Sequence, residues 1–232
     1  MENILECSHI TKLYGKFRAL DDVTFSVPKG GVLGLLGPNG SGKTTFIKLA
    51  MGMLRSDAGA IRIAGELPSP ATKAMTAYLP DANYLDEHLR VESQIKYYAD
   101  FFKDFNNEKC DILLERLGIS RKQRIKTLSK GNKEKLGLIL TMSRDAKLYI
   151  LDEPIAGVDP AARDFILDTI LKNRAPGSTI LLCTHLIADI QSVLTHFVFL
   201  NRGKVVMQSS VEETTKREGK TLDELFREVF KW

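Results

Sequence analysis

The sequence has 232 residues, 44% of them apolar and 27% charged, which is an ordinary globular balance. A chain of this size buries about 70–75% of the surface that its unfolded form exposes, so it needs neither disulfides nor a structural metal to fold. Its 33 basic and 29 acidic residues leave a net charge of +4. That excess is too small to indicate a nucleic-acid partner, which usually requires a concentrated basic face.

The N-terminal sequence MENILECSHI lacks the basic start and the apolar stretch of a signal peptide. No apolar run approaches the roughly 18–20 residues that span a bilayer, so a role in transport would require a membrane subunit on another chain. The cysteines lie far apart and form no C-x-x-C pair, which argues against a disulfide framework or a zinc site and suits a reducing cytosol. They are Cys7, Cys110 and Cys183.

The first third of the chain predicts short strands. Apolar and polar residues alternate over 23–27, before a turn signal at 28–31. Residues 32–36 form a continuous apolar run, which is typical of a strand buried on both faces. A glycine-rich turn follows. We then predict a helix from about 42 to 54 and a further strand over 60–64.

The segment from about 81 to 126 has a different composition, since it is charged and contains no proline. Its apolar and aromatic residues recur at three- and four-residue steps, which predicts helices. They are Ile95, Tyr98, Ala99, Phe102 and Phe105. We interpret this segment, extended to about 145, as a helical subdomain inserted into an α/β core. We expect its aromatic residues to pack internally, and a groove for a partner is the alternative.

The α/β pattern then resumes. Residues 147–151 and 179–183 are apolar strand candidates, each followed by a predicted helix. Residues 197–200 and 204–207 flank a predicted hairpin turn. A short amphipathic helix is predicted over 222–230.

Residues 37–45 match the pattern G-x-x-x-x-G-K-S/T between a predicted buried strand and a predicted helix. Glycines let backbone N–H groups converge on phosphate oxygens, and the helix N-terminus adds its positive dipole end. Lys43 supplies a charge for the β- and γ-phosphates, Thr44 can ligate Mg²⁺, and Thr45 is placed to reach the α-phosphate. The predicted nucleotide-binding residues here are Gly37, Pro38, Asn39, Gly40, Ser41, Gly42, Lys43, Thr44 and Thr45.

A second motif, residues 148–153, is an apolar strand that ends in two acids and is closed by Pro154. Asp152 would hold Mg²⁺ through a water, as the second half of a phosphate-loop site requires. Glu153 is then placed to polarise the attacking water. An acidic pair after a strand is by itself more often a helix cap, but downstream of a phosphate loop the hydrolytic interpretation is favoured.

These two motifs, together with four further segments, resemble the ATP-binding cassette (ABC) ATPases over nearly the whole chain. Residues 128–132, Leu-Ser-Lys-Gly-Asn, stand where that family has its signature, usually L-S-G-G-Q. Residues 157–159, Gly-Val-Asp, are similar to its D-loop. His185 follows a predicted strand at the place of the family's switch histidine, and Tyr14 precedes Gly15 at the place of the aromatic residue that stacks on adenine.

The resemblance implies roles for residues outside the two motifs. Ser129 and Gly131 would face the γ-phosphate bound by an opposing subunit, so each ATP site would be built from two chains. The implied catalytic residues are Glu153, His185 and Lys43.

Two motifs depart from the family pattern, the signature and the Q-loop. Lys130 and Asn132 replace the first glycine and the glutamine of the signature; we expect Lys130 to point to solvent, and contact with a triphosphate is the alternative. Asp81 stands at the place of the Q-loop glutamine, where its carboxylate could offer oxygen to Mg²⁺ or to water. These departures bear on turnover and coupling rather than on ATP binding.

The resemblance also implies the fold class. It is an α/β fold with a P-loop NTPase core and a mostly parallel sheet, an N-terminal antiparallel β subdomain and the inserted α-helical subdomain, all in a single domain over 1–232. The implied cofactors are ATP and Mg²⁺. The implied reaction is hydrolysis of Mg-ATP to ADP and phosphate.

The implied function is to power a membrane transporter whose polytopic subunit is a separate chain. The form L-S-K-G and the compact tail that ends at Trp232 favour an exporter. We expect a homodimer, or a heterodimer with another ABC ATPase, with no nucleic acid. We expect a cytoplasmic location, peripheral on the inner face of the cell membrane.

The alternative is a soluble ABC ATPase. DNA-repair members would carry long coiled-coil insertions and translation members two fused cassettes, and neither is found here. An iron–sulfur assembly ATPase stays an open alternative for the function. A basic cluster at 121–126 is interpreted as a solvated helix face, with contact to acidic partners or anionic lipid as its alternative.

Overall fold

The computed structural model of the protein describes residues 2–230, and within this range only the backbone of Ala161 and Ala162 is described. Trp232, where the predicted compact tail ends, lies outside the described residues. The strands are β1 (Asn3–Tyr14), β2 (Phe17–Pro28), β3 (Val32–Leu36), β4 (Ala58–Ile63), β5 (Thr76–Leu79), β6 (Leu148–Asp152), β7 (Thr179–Thr184), β8 (His196–Asn201) and β9 (Lys204–Ser210). The helices are α1 (Lys43–Ala50), α2 (Pro70–Ala74), α3 (Val91–Phe101), α4 (Asn107–Arg116), α5 (Lys130–Met142), α6 (Pro160–Asn173), α7 (Ile187–Ile190), α8 (Val211–Glu218) and α9 (Leu222–Phe230).

The described strands form two sheets. A three-stranded antiparallel sheet has the order β2-β1-β4. A six-stranded sheet has the order β5-β6-β7-β3-β8-β9, in which all neighbours are parallel except the last pair. The predicted α/β fold with a mostly parallel sheet and a separate antiparallel sheet is therefore confirmed.

The core lies on both faces of the six-stranded sheet, because successive strand side chains point to opposite faces. Val32 and Leu36 of β3 belong to one apolar cluster, which includes residues of α3–α6 and α9. Leu33 and Leu35 belong to the other cluster, which includes α1 and the antiparallel sheet. All five residues of β3 are buried, as its continuous apolar sequence predicts.

Helices α3, α4 and α5 follow β5 in the chain and precede β6, within the segment predicted to be helical. The Tyr98 ring packs against Phe102 and Phe105, with centroids 5.5 Å and 6.1 Å away. The Arg144 guanidinium lies 3.8 Å from the Phe102 ring centroid and donates to the Thr76 carbonyl oxygen, which ties these helices to β5. The division of the chain into a core and an inserted subdomain stays a prediction.

Helix α1 is shorter than its predicted range of about 42–54. It ends at Ala50, and Gly52 then adopts a positive φ of 61°, the left-handed conformation that commonly terminates helices. Among residues 2–230, no helix is both long enough and apolar enough to cross a membrane.

Candidate active site

The phosphate loop lies between β3 and α1, and its backbone is packed against the turn that joins β8 and β9. A Cβ atom on Gly37 would lie 2.2 Å from the Leu200 carbonyl oxygen, so no larger residue fits there without a shift. The N–H of Gly203 donates to the Ser41 carbonyl at 2.9 Å. Gly42 has a φ of 111°, which favours glycine, immediately before the helix begins. The shape of the loop is therefore fixed by backbone contacts.

Lys43, the first residue of α1, is 6% exposed. Its Nζ donates to the carbonyl oxygens of Gly37 and Pro38, at 2.7 Å and 3.3 Å, and lies 3.8 Å from Glu153 Oε1. The amine is thus held at the centre of the loop by the loop's own carbonyl groups. A buried cation held by the backbone of a glycine-rich loop is suited to bind a polyphosphate.

Asp152, the last residue of β6, is 2% exposed, and its Oδ2 accepts a hydrogen bond from the Thr44 hydroxyl at 3.2 Å. The pKa of Asp152 is raised to about 6, chiefly by burial and also by the negative charges of Glu153 and Asp81, against the opposing effects of the Thr44 hydrogen bond and the Lys43 charge. Its Oδ1 has no hydrogen-bond partner within the described part of the chain. The protein therefore offers few partners to offset the negative charge of the Asp152 carboxylate.

An unpartnered buried carboxylate oxygen beside a hydroxyl fits Mg²⁺, because this ion prefers oxygen ligands and usually takes only one or two carboxylates, the rest being water and phosphate. The residues present therefore suit a cation that is bound together with a nucleotide.

Glu153 follows directly and is held by three contacts. Its N–H donates to the Cys183 carbonyl at 2.8 Å, the Thr184 hydroxyl donates to Oε2 at 2.8 Å, and His185 Nδ1 lies 3.0 Å from Oε1. Its φ of 50° is unusual for a residue with a side chain and is a form of strain found mostly at functional sites. The parallel pairing of Asp152 with Cys183 brings these neighbouring strand ends together.

Asp81 comes two residues after β5, and the pairing of Leu79 with Leu151 places it at the same edge of the sheet as Asp152. It lines a cavity of about 390 Å³ together with Asp152 and Glu153. Asp81 is therefore close to the two acids but makes no hydrogen bond with them.

Tyr14 and the tip of the phosphate loop are exposed. Tyr14, at the end of β1, is 47% exposed, with Lys12 Nζ 5.9 Å from its ring centroid. Pro38 and Asn39 line a cavity of about 490 Å³ with His185, on the side that faces α9. Thr45 lies in the first turn of α1 and is half-buried. None of these positions conflicts with its predicted role.

Ser129, Lys130 and Gly131 lie at the start of α5. The Ser129 hydroxyl oxygen caps the helix by accepting a hydrogen bond from the Asn132 N–H at 3.3 Å. The Lys130 side chain is 89% exposed and therefore points to solvent, as predicted. A Cβ atom on Gly131 would have no atom within 4 Å. These side chains lie on an exposed surface of their own chain.

The sequence analysis missed two contributors to the site. Thr184 fixes one oxygen of Glu153, and its only sequence signal is a hydroxyl residue directly before His185. The turn at Leu200 and Gly203 supports the phosphate loop from a strand more than 150 residues away in the chain, and no local pattern could have indicated that contact.

The carboxyl edge of the six-stranded sheet thus carries a phosphate loop, a buried acid and a second, firmly held carboxylate, which together define a P-loop ATPase. The chain belongs to the ABC transporter family, whose model matches residues 20–156. It is an ATP-binding subunit of that family, and because the family hydrolyses ATP, the protein is an ATPase.

Two sequence relatives and one solved structure illustrate the likeness. The chain is 30% identical over 230 residues to the uncharacterized ABC transporter ATP-binding protein YdbJ of Bacillus subtilis, covering 97% of this chain and 75% of the relative. It is 32% identical over 218 residues to the Nod factor export ATP-binding protein I of Paraburkholderia xenovorans, covering 90% and 71%. A solved ATP-binding subunit of an ABC transporter matches with a TM-score of 0.88 at 30% identity, covering 98% of this chain and 99% of that one.

Proposed function

We propose that this chain hydrolyses Mg-ATP between its phosphate loop and the acids at the end of β6, and that hydrolysis powers export through a separate membrane subunit. The observation that carries the hydrolytic part is the position of Glu153 Oε1, 3.8 Å from Lys43 Nζ and 3.0 Å from His185 Nδ1. These distances support a site in which Glu153 acts as the base, Lys43 binds phosphate and His185 orients the carboxylate.

The nucleotide would be bound by the loop residues 37–45, with the β- and γ-phosphates replacing the loop carbonyls as partners of Lys43. Thr45 would contact the α-phosphate and Tyr14 would stack on the adenine, since its ring is exposed. Thr44 and Asp152 would hold Mg²⁺, with Asp81 as a further oxygen donor at the same edge. When bound, the ion neutralises charge on the phosphate oxygens.

Glu153 is the proposed general base, accepting the proton of a water that attacks the γ-phosphate. Thr184 and His185 hold its two oxygens, so the carboxylate is oriented before the substrate arrives. Lys43 Nζ lies 3.8 Å from Glu153 Oε1, so a phosphate bound by Lys43 would lie beside this carboxylate.

The start of α5 is proposed to complete the ATP site of a facing subunit. Ser129 and Gly131 are exposed at the N-terminus of a 13-residue helix, where free N–H groups and the helix dipole favour a phosphate. The facing subunit is either a second copy of this chain or another ABC ATPase.

The export direction is supported by the relative that is named a Nod factor export ATP-binding protein. The membrane subunit is proposed to be polytopic and separate, with this chain peripheral to it on the cytoplasmic face. The family and the two named relatives give no support to the alternative of an iron–sulfur assembly ATPase.

The experiment is purification of the tagged chain from detergent-solubilised membranes of its own organism. We expect a polytopic membrane protein to co-purify, and the complex to hydrolyse ATP. A Lys43→Ala chain should assemble in the same way but hydrolyse no ATP, which separates assembly from catalysis. Recovery of the chain without any membrane protein would contradict the transporter role.

A further inference from the structure

Arg163 lies in the first turn of α6, behind the catalytic edge, and the proposed chemistry does not use it. Its Nε donates to the Val158 carbonyl oxygen at 3.1 Å, and its Nη1 donates to Asp189 Oδ2 at 2.8 Å. The Arg163 and Asp189 side chains are 22% and 32% exposed, so this contact is partly shielded from water. One guanidinium therefore joins two segments that lie far apart in the chain.

Each of these two segments leads directly from a residue of the proposed site. Val158 comes shortly after Glu153, at the end of a turn that is closed by backbone hydrogen bonds. Asp189 lies in α7, the helix that begins just after His185. Glu153 and His185 themselves meet at 3.0 Å. Arg163 thus closes a ring behind that contact, because it joins the segment that follows the base to the helix that follows the histidine.

An arginine suits this position because of the shape of its head group. The planar guanidinium carries several donors in a fixed fork, so it can hold a carbonyl oxygen and a carboxylate at the same time. A lysine ammonium is a point charge on a flexible stem and does not fix two partners in this way. Partly exposed ion pairs contribute little to stability. The contact is therefore better suited to set the relative position of two segments than to stabilise the fold.

Helix α7 depends on contacts with the rest of the chain. It has four residues, and Leu186 provides no side-chain cap at its start. Helices this short are held mainly by tertiary packing. Ile187 and Ile190 are buried and hold α7 against the core, while the pair of Asp189 with Arg163 adds a directional contact. The segment immediately before α7, which contains the site's histidine, is therefore expected to depend on that pair for its position.

We propose that Arg163 is a positioning residue for ATP hydrolysis, which keeps His185 at hydrogen-bond distance from Glu153. It acts through the Val158 carbonyl group and through Asp189, without contact to the nucleotide. When these contacts are lost, the loop that carries His185 can shift, and Glu153 loses one of the two partners that orient its oxygens. The inference rests on the proposed role of Glu153 as general base, and it names the residue that holds the histidine partner of this base in place.

Steady-state kinetics test the proposal. Arg163→Ala should lower kcat for ATP hydrolysis by about five- to thirtyfold, which is below the roughly hundredfold loss that a 1 Å misplacement can cause. KM for ATP should stay nearly unchanged, because Arg163 bonds to Val158 and Asp189 rather than to the phosphate loop. Arg163→Lys should lose less than Arg163→Ala, because its ammonium can still pair with Asp189. Asp189→Ala should also lose less, since the bond to Val158 remains.

The double variant and a matched control separate positioning from a general loss of structure. Arg163→Ala combined with Asp189→Ala should be no slower than Arg163→Ala alone, because contacting residues do not act additively. The control is Arg116→Ala, which removes an ion pair of similar exposure to Asp168 further along α6, with 3.1 Å between the charged atoms. This control should keep wild-type kcat. Equal losses in Arg163→Ala and Arg116→Ala, or additive losses in the double variant, would overturn the proposal.

A second measurement does not depend on ATP hydrolysis. The side-chain NMR signals of histidine report the surroundings of the imidazole ring, and His185→Gln identifies the signal of His185. In the nucleotide-free protein, Arg163→Ala should shift or broaden this signal, whereas Arg116→Ala should leave it in place. An unchanged His185 signal in Arg163→Ala would overturn the proposal even if kcat falls. A selective change of the His185 signal, together with full turnover in Glu153→Gln, would contradict only the proposed role of Glu153.

Discussion

The phosphate loop and the start of α5 each carry a glycine that the sequence analysis relates to ATP and a lysine close by, yet the chain holds these residues in opposite ways. A Cβ atom on Gly37 would lie 2.2 Å from a backbone oxygen, but one on Gly131 would have no neighbour within 4 Å. Lys43 is buried and bonded to carbonyl groups, whereas Lys130 is exposed. The fold of this chain requires the glycine of the loop but does not require the glycine of α5. The open space around Gly131 is compatible with the facing subunit that we propose.

The largest effect is expected from Glu153→Gln, at the edge that belongs to the chain itself. The amide keeps the size of the side chain and can still accept from Thr184, but it cannot accept a proton from water. We expect ATPase turnover to fall by about 10²- to 10⁴-fold, the usual contribution of a general base. A steady-state phosphate-release assay measures this.

The matched control for that variant is Glu213→Gln, in α8 and away from the site, which should keep wild-type turnover. With hydrolysis blocked, the Glu153→Gln protein should form a dimer in Mg-ATP that light scattering detects. Full turnover in Glu153→Gln would remove this residue from the mechanism.

Asp152→Asn tests whether the ionised Asp152 carboxylate destabilises the folded chain when no Mg²⁺ or nucleotide is bound. The pKa of Asp152 is about 6 in the folded chain, above its ordinary value of 3.8, so the folded state binds more protons between these values. Stability from this group is therefore greatest below about pH 4, falls as pH rises and is lowest above about pH 6. Each pKa unit corresponds to about 1.4 kcal/mol, so the ionised group costs up to about 3 kcal/mol.

In the nucleotide-free protein with a chelator present, Asp152→Asn should therefore raise the free energy of unfolding at pH 8 by up to about 3 kcal/mol. The gain should shrink through pH 5 and disappear near pH 4. Urea unfolding at the three pH values measures it. An equal effect at all three would mean that charge burial is not the cause.

Gly37→Ala tests the claim that the loop is shaped by its own chain. The added methyl group would collide with the Leu200 carbonyl oxygen, and overpacking of this kind typically costs about 1–3 kcal/mol. Urea unfolding of the nucleotide-free protein should show that loss. Unchanged stability would mean that the turn joining β8 and β9 shifts easily to make room for a methyl group. The difference in packing between the phosphate loop and the start of α5 would then be smaller.

The sequence predicted those parts of the fold that have strong local signals. The apolar run of β3 and the glycine-rich pattern after it identified the loop and its flanking elements. Other signals were present but overlooked, since Ser210 caps α8 through the Glu213 N–H and Gly219 ends that helix in the left-handed conformation. The four-residue strand β5 is too short for its period to be recognised.

The site was predictable as residue types but not as an arrangement. Asp152, Glu153 and His185 meet because β6 and β7 are neighbours in the sheet, and the order of strands is not encoded in any local pattern. The support of Gly37 by Leu200 is likewise a contact between distant segments. Local sequence patterns thus indicated the candidate residues, and the pairing of distant strands decides how they are held.

The smallest effect on stability is expected from Gly131→Ala, which tests the start of α5. The position lies in the first turn of α5 with open space around it, and alanine is favoured over glycine in helices by about 0.5–1 kcal/mol. The free energy of unfolding should therefore be unchanged or slightly raised, by at most about 1 kcal/mol. ATPase activity should nevertheless fall, because the methyl group would stand where the facing subunit's triphosphate is proposed to lie.

Mixing this variant with Lys43→Ala protein sharpens the test. A mixed pair contains one site with an intact loop from the first chain and an intact α5 start from the second, so activity should return above the level of either variant alone. A Gly131→Ala protein that is folded and fully active would mean that no facing surface approaches α5. A loss of activity without recovery on mixing would point to a different ABC ATPase, rather than a second copy of this chain, as the partner.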